Sequence, residues 1–306
     1  MVRIVAATWG ILLCMVLLAA DTAGAASFPD MLGRSVPVPD GPLRLVSLAP
    51  SLTEMAFALG RGDWVVGVSE ACDYPAAART RPKVGSIATP NLERIVQLQP
   101  DLVLTSAEAN TRETLSQLER LRLPVFAVKP EGLEGILASI RLLGAALRAE
   151  TGASSAIRDI RERVAGVRGK VADRIRPRVL YLIWADPPIA AGPATFIHDL
   201  LELAGGLNVV QERTARYLPL GWEEIVARRP EAILVAAHQG GEGSAALAQG
   251  NRAVWSGWQS LPAVKTGRVV SLPGDTILRP GPRVAEGVER LARAIHPEAF
   301  VTRETP

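Results

Sequence analysis

The sequence predicts an α/β protein of two similar lobes, each with a mainly parallel sheet, joined by a long backbone helix. Three observations predict it. The segment from Asn91 to Leu104 aligns without a gap on the segment from Gly221 to Leu234, a constant offset of 130 residues. Each of these segments reads as a short helix followed by a buried strand, the alternation that builds parallel sheets. Between the two copies lies a stretch, Glu131 to Arg176, whose apolar residues recur at helical spacing.

The elements follow in order. Met1 to Ala25 has a basic start at Arg3, an apolar run from Ile4 to Ala20 and an Ala23-Gly24-Ala25 cleavage signal, which together read as a secretory signal peptide. The apolar run is short for a membrane anchor. Cys14 follows the bulky Leu13 within that run, which argues against a lipid-attachment site. With the leader removed, Cys72 is the single cysteine, so the mature fold is held by its core rather than by an intramolecular disulfide.

Arg44 to Ala49 is a basic residue followed by a short apolar strand. Ser51 as N-cap and Glu54 three residues later form a capping box, and Gly60 ends the helix they open. A second strand starts at Trp64. The second lobe repeats this order: a strand from Arg178 to Ile183, a loop from Asp186 to Pro193, a helix from Thr195 to Ala204 closed by Gly205-Gly206, and extended chain from Asn208. The two first strands are 134 residues apart, close to the offset of the sharper repeat.

In that repeat, Glu93 and Glu223, Ile95 and Ile225, Val96 and Val226, Pro100 and Pro230, and Leu104 and Leu234 coincide. Thr89-Pro90 reads as N-cap and first helical proline. Leu92, Ile95 and Val96 share one helix face, with Glu93 beside it. Pro100 and Pro230 break each helix before its strand. In the connector, Ile136, Ile140, Leu143 and Leu147 form one stripe, and Ile157, Ile160, Val164, Val167, Val171 and Ile175 form another. This is one long helix or two end to end, with Gly152 and Ser154-Ser155 as sites for a kink and Pro177 as the stop. The expected organisation is a signal peptide over 1–25, a first lobe over 26–135, a connecting helix region over 136–176 and a second lobe over 177–306.

Composition excludes several classes. Apolar residues are 48% and charged residues 21%, which excludes a mostly disordered chain. Aromatics are 5% and the net charge is +3, a thin supply of stacking platforms and cations for nucleic acid. Phosphate-loop, dinucleotide, zinc-protease and nucleophile-elbow motifs are missing. His198 reads as a polar helix residue, His238 as a loop residue before Gly240-Gly241, and His296 falls near the C-terminus. Cys72 has no histidine near it in sequence and reads as a plain thiol.

The motifs Arg44 to Glu54, Val66-Gly-Val, Cys72-Asp-Tyr-Pro75, Pro82-Lys-Val-Gly85, Asn91-Leu-Glu-Arg94, Gln99 to Leu104 and Ala204-Gly-Gly-Leu-Asn208 resemble the periplasmic substrate-binding proteins of ABC importers. Within these they are similar to the helical-backbone class for cobalamin, haem and ferric siderophores. Cys72 to Pro75 and Gly192 to His198 look most like the cobalamin-binding branch. The resemblance covers the whole mature chain. It implies a monomeric periplasmic solute-binding protein, not an enzyme, that delivers a corrinoid to an ABC permease dimer. It implies no resident cofactor or metal, and contact with the membrane only through the permease.

The resemblance further implies that one ligand binds between the lobes, on loops after the strand C-termini. Candidate ligand-binding residues are Ser51, Tyr74, Ile87, Trp184, Tyr217, Asp275 and Arg279. Tyr217 would lie against a flat macrocycle, Trp184 would form a cleft wall, and Arg279 would meet a ligand carboxylate or phosphate. Glu93 and Glu223 would dock on arginine pockets of the permease, one acid per lobe.

One departure is Ala71, Ile87 and Ser106, which stand in loops where the cobalamin branch often has aromatics. Haem or a siderophore therefore stays open as ligand, with Tyr74 or Tyr217 as an axial group and Arg279 with Arg283 as the few cations for a ferric chelate. The other classes open at this point are an exported enzyme using the cleft and a sensory module partnered with a receptor.

Overall fold

Two strand pairs with one register form the centre of the molecule. The structure is a computed structural model that describes residues 25–214, 216–237 and 255–301, apart from the side chain of 256. The leader with Cys14, and the loop with His238, fall outside the described residues. In the first lobe, β3 (Leu45–Ser47) runs parallel to β5 (Leu102–Ser106), with Leu45 opposite Leu102. In the second, β7 (Arg178–Ala185) runs parallel to β11 (Ala232–Ala237), with Val179 opposite Ala232. These are the same two positions displaced by the offsets of the sequence repeat. Strands β3 and β5 are buried throughout, which is why they read as continuous apolar runs rather than as alternating ones.

The first lobe completes an all-parallel sheet in the order β4-β3-β5-β6, with β4 at Val65–Val68 and β6 at Val125–Val128. A small antiparallel pair, β1 (Ala26–Pro29) and β2 (Ser35–Val38), precedes it. The second sheet is mixed. Its order is β10-β8-β7-β11-β12, with β8 at Pro188–Ala191, β10 at Tyr217–Pro219 and β12 at Val269–Pro273, while β9 (Leu207–Asn208) pairs with the start of β7. The stretch expected as a loop from Asp186 therefore contains a strand. β8 folds back antiparallel on β7, and Tyr217 lies within β10, paired with Ala191.

The repeated helices are α2 (Leu92–Gln97) and α7 (Trp222–Arg228), and α3 (Arg112–Arg120) connects β5 to β6. The cap of α2 is Asn91, whose side chain accepts from the Arg94 amide at 3.0 Å, and not Thr89 as the sequence suggested. In α7 the Glu224 carboxylate accepts from the Gly221 amide at 2.9 Å. Each helix is followed by a residue in the left-handed region, Gln99 at φ 46° and Arg229 at φ 47°, immediately before the proline. The chain must turn sharply there to feed the next strand.

α1 (Pro50–Ala58) begins two residues earlier than expected. Pro50 occupies the first helical position, Ala49 is the cap, and no side-chain cap bond forms. Ser51 is thus inside the first turn, and Glu54 is freed from the capping role assigned to it. Gly60, at φ 71°, ends the helix as predicted. Thr195 caps α6 (Phe196–Leu203), and its hydroxyl accepts from the His198 amide at 3.3 Å.

The connector is a helical hairpin. α4 (Gly132–Ala146) and α5 (Glu150–Val171) are separated by Arg148 at φ 50°. A Cβ on Gly144 would stand 2.4 Å from that of Ala153, and Glu134 pairs with Arg161 at 3.2 Å. Contacts whose partners move apart along the chain in this way require antiparallel helices. The break falls at 147–149, not at Gly152 or Ser154, which lie inside α5. Gly152 packs instead on the backbone of Leu59 at the end of α1, where a Cβ would meet the Leu59 carbonyl oxygen at 3.4 Å. The largest apolar core runs from Leu45 and Leu104 through Ile140, Ile157 and Ile160 to Tyr181 and Leu234, so the hairpin packs on both lobes.

Among the described residues, the second lobe closes with three further helices, α8 (Pro262–Lys265), α9 (Gly274–Ile277) and α10 (Val284–Ile295). α10 packs on α5, and Arg163 meets Glu289 at 3.0 Å across that contact.

Candidate ligand cleft between the lobes

The strand C-termini of both sheets face a cleft of about 630 Å³, lined by Ala71 and Asp73 from the first lobe and by Ala237, Pro273, Gly274, Asp275, Leu278 and Arg279 from the second. Open α/β sheets leave such a crevice where the chain passes from strand end to helix start. Gly274 allows close approach, since a Cβ there would lie 3.0 Å from the Ala237 carbonyl.

One wall is built by charge. Arg279 reaches Asp73 at 2.6 Å and Glu54 at 3.3 Å, both in the opposite lobe, and also donates to the Ala71 carbonyl at 3.3 Å. Arg283 makes a two-pronged contact with Glu54, at 2.9 and 2.7 Å, and meets Asp275 at 2.9 Å. Its guanidinium stacks over the Tyr74 ring at 4.1 Å. Burial alone would depress both guanidinium groups. Hydrogen bonds to Asp73, Glu54 and Asp275 outweigh it, and hold both above their usual range. The Arg279 contact holds the Asp73 carboxyl below its ordinary value.

Glu54 is 2% exposed and is the buried centre of this cluster. It sits on α1 among Leu52, Met55 and Ala56, all fully buried. An unpaired carboxylate there would be costly, and the two arginines supply its counter-charge. Ser51 is buried in the same place because the second-lobe loop covers it, with Gly281 lying 3.4 Å from the Ser51 backbone at its Cβ position.

A second bridge spans the lobes elsewhere. Arg216, just before β10, reaches Glu108 in the loop after β5 at 3.2 Å. Burial pushes the Glu108 carboxyl up despite this partner, and burial likewise raises the neighbouring Tyr217 phenol.

Of the seven cleft residues expected from sequence, Ser51, Tyr74, Asp275 and Arg279 gather around the one charged wall. Tyr217, 45% exposed, stands beside the Glu108–Arg216 bridge. Trp184 lies inside β7 rather than after it. It is 41% exposed, its indole donates to the Asp186 carbonyl at 2.8 Å, and it is outside the set lining the 630 Å³ cleft. Ile87 is half-buried outside that set too, and its carbonyl accepts from Asn110 at 2.9 Å. Ser106 ends β5 and is buried, so it is a strand residue and not a loop residue. Sequence reasoning missed Glu54 as a site residue, and also Asp73, Glu108 and Arg216. The signal for Glu54 was an acid on the apolar face of a helix.

Glu93 and Glu223 are both exposed, each at the second position of its helix. Among the described residues, no group of three or more His, Cys, Asp or Glu could hold a metal ion, and no helix is long and apolar enough to cross a membrane.

Two α/β lobes meeting over one cleft define a class of proteins that bind a solute between domains. The periplasmic binding protein family model matches residues 45–276, and this chain belongs to that family. It is 31% identical over 246 residues to a vitamin B12-binding protein of Vibrio parahaemolyticus, covering 80% of this chain and 86% of the relative. It is also 31% identical over 278 residues to an ABC transporter substrate-binding lipoprotein of Bacillus subtilis, covering 89% and 85%.

Among solved structures, it superposes on the periplasmic vitamin B12 binding protein of Vibrio cholerae with a TM-score of 0.75 at 28% identity, covering 85% of this chain and 99% of that one. A periplasmic haem-binding protein in complex with two haems matches as well, with a TM-score of 0.76 at 29% identity, covering 85% and 100%. Substrate-binding proteins for ABC transport are thus its relatives, and haem and B12 binders are equally close in structure.

Proposed function

We propose that this chain is exported with cleavage near Ala25, captures a corrinoid of the cobalamin type in the inter-lobe cleft without chemical conversion, and delivers it to an ABC permease dimer. The observation that carries the ligand choice is the state of the cleft arginines. Arg279 and Arg283 are already paired with Glu54, Asp73 and Asp275. The propionates of haem or the anionic groups of a ferric siderophore would have to displace those carboxylates. A corrin ring edged by neutral amides would not, since amides donate and accept alongside existing pairs. Small apolar walls at Ala71, Ala237, Pro273 and Leu278 leave room for a bulky ring and supply apolar area. Identity to vitamin B12-binding relatives supports the same choice.

Docking through Glu93 and Glu223 is supported by their equivalent, exposed positions on α2 and α7. Ser51, Tyr74, Asp275 and Arg279 are proposed to bind ligand on the charged wall, with Tyr217, Trp184 and Ile87 at the margins. Haem is the second reading, favoured by the two half-exposed tyrosines, Tyr74 at 47% and Tyr217 at 45%, and by the haem-binding neighbours. Tryptophan quenching and native mass spectrometry with cyanocobalamin, haemin and a ferric siderophore test the choice. Submicromolar binding of cyanocobalamin is expected. Haemin binding alone would replace the ligand and leave the cleft in place.

A further inference from the structure

The charged wall contains three carboxylates, Glu54, Asp73 and Asp275, against two guanidinium groups, Arg279 and Arg283. As paired in the structure, the cluster carries one net negative charge. The five groups differ in freedom. Asp73 and Asp275 have side chains 42% and 46% exposed, so both can swing into solvent when a ligand enters. Glu54 cannot leave, because it is 2% exposed and fixed on α1. It also takes the most directional contact, the Nε and Nη2 fork of Arg283, while Arg279 reaches it through Nη1.

We propose that Glu54 is a positioning residue that sets the charge selectivity of the cleft. It holds the two second-lobe arginines in place and, together with Asp73 and Asp275, more than cancels their two positive charges, so that the cleft disfavours anionic ligands and admits a net-neutral, amide-edged one. This rests on the reading of the cleft as the ligand site. Glu54 acts through the arginines and is not itself among the residues lining the cleft. At the separations involved, well inside a Debye length, one fixed charge alters the field felt by an incoming carboxylate.

The test is a selectivity ratio, which a merely structural defect would not move. Dissociation constants for cyanocobalamin and haemin are measured by tryptophan quenching on the wild-type protein, Glu54→Gln and Asp73→Asn. Glu54→Gln keeps the shape and removes the charge. It is expected to shift the ratio toward haemin about fivefold or more, with a smaller shift in the same direction for Asp73→Asn. The Asp73 variant changes a half-exposed residue, so it reads the effect even where Glu54→Gln fails to fold. A ratio unchanged in both variants, or both ligands weakened equally, overturns the proposal. A shifted ratio in a protein whose wild type prefers haemin keeps the charge role and overturns the corrinoid reading. An unshifted ratio in a protein that binds cyanocobalamin does the reverse.

Discussion

The first and second lobes agree in their centres and differ at one edge. In the first, the Arg44 amide donates to Asp101 at 2.7 Å, and its guanidinium donates to the Leu98 carbonyl at 3.0 and 2.8 Å. In the second, the Arg178 amide donates to Glu231 at 2.8 Å, and its guanidinium donates to the Arg228 carbonyl at 3.2 and 2.6 Å. Each arginine thus ties the start of a central strand to the end of the repeated helix and to the acid after the proline. Across that strand the lobes part. β3 has a parallel neighbour, β4, while β7 keeps only the two-residue parallel β9 at its start and then has the antiparallel β8, followed by β10. The two arrangements teach that the contacts which set strand register are common to both lobes, while the edge carrying Tyr217 differs.

The repeated helices show the same contrast. Glu93 and Glu223 keep one place, but Leu92 is replaced by Trp222, which stacks on Trp258 at 4.7 Å and meets Trp255 edge-on at 5.6 Å. Beside Glu93, Leu92, Val96 and Leu121 instead line an open groove. The largest effect expected from this comparison concerns the two acids. Reversal of both, Glu93→Arg with Glu223→Arg, should abolish uptake of labelled ligand into cells or proteoliposomes while leaving its dissociation constant within about twofold. Each single reversal tells whether the lobes contribute equally, and normal uptake by the double variant would remove the docking reading.

The matched arginines give the next effect. Arg44→Ala and Arg178→Ala should each destabilise the fold by about 1 kcal/mol in urea unfolding, since each removes exposed bonds to carbonyls that water partly replaces. Loss in only one variant would break the equivalence of the two centres.

The smallest effect compares the two inter-lobe bridges. Asp73 has its carboxyl lowered in the folded protein, so its contribution to stability is present above its ordinary value of 3.8 and is lost as pH falls below it. Glu108 is raised, so the folded form holds its proton more tightly than the unfolded chain. Its stabilising contribution is present at pH below the ordinary value of 4.5 and is lost as pH rises through the folded value. On acidification, therefore, the Glu108–Arg216 bridge should break before the Asp73–Arg279 bridge. Carboxyl-resolved NMR titration checks the order, and titration of Asp73 first would reverse the assignment.

Much of this was legible in the chain. The offset of 130 residues located both helix–strand units, because a helix stop at proline and a buried apolar strand are local signals. The hairpin of α4 and α5 was half legible: the apolar stripes gave the helices, but only packing on both lobes decided that the chain reverses at Arg148. The start of α1 lies two residues before the one the sequence suggests, because Ser51 and Glu54 match a capping box while proline at 50 and burial against the other lobe decide the structure.

The amino-acid order alone determined the duplicated α/β units, their buried strands and the equivalent placing of Glu93 and Glu223, since each follows from spacing within about fifteen residues. Only the tertiary structure decided that β8 and β10 extend the second sheet, and that Glu54 and Asp73 meet Arg279 and Arg283. Those partners lie more than 200 residues apart. A charge pair of that kind exists only once two lobes close on each other, and burial then makes the pairing obligatory.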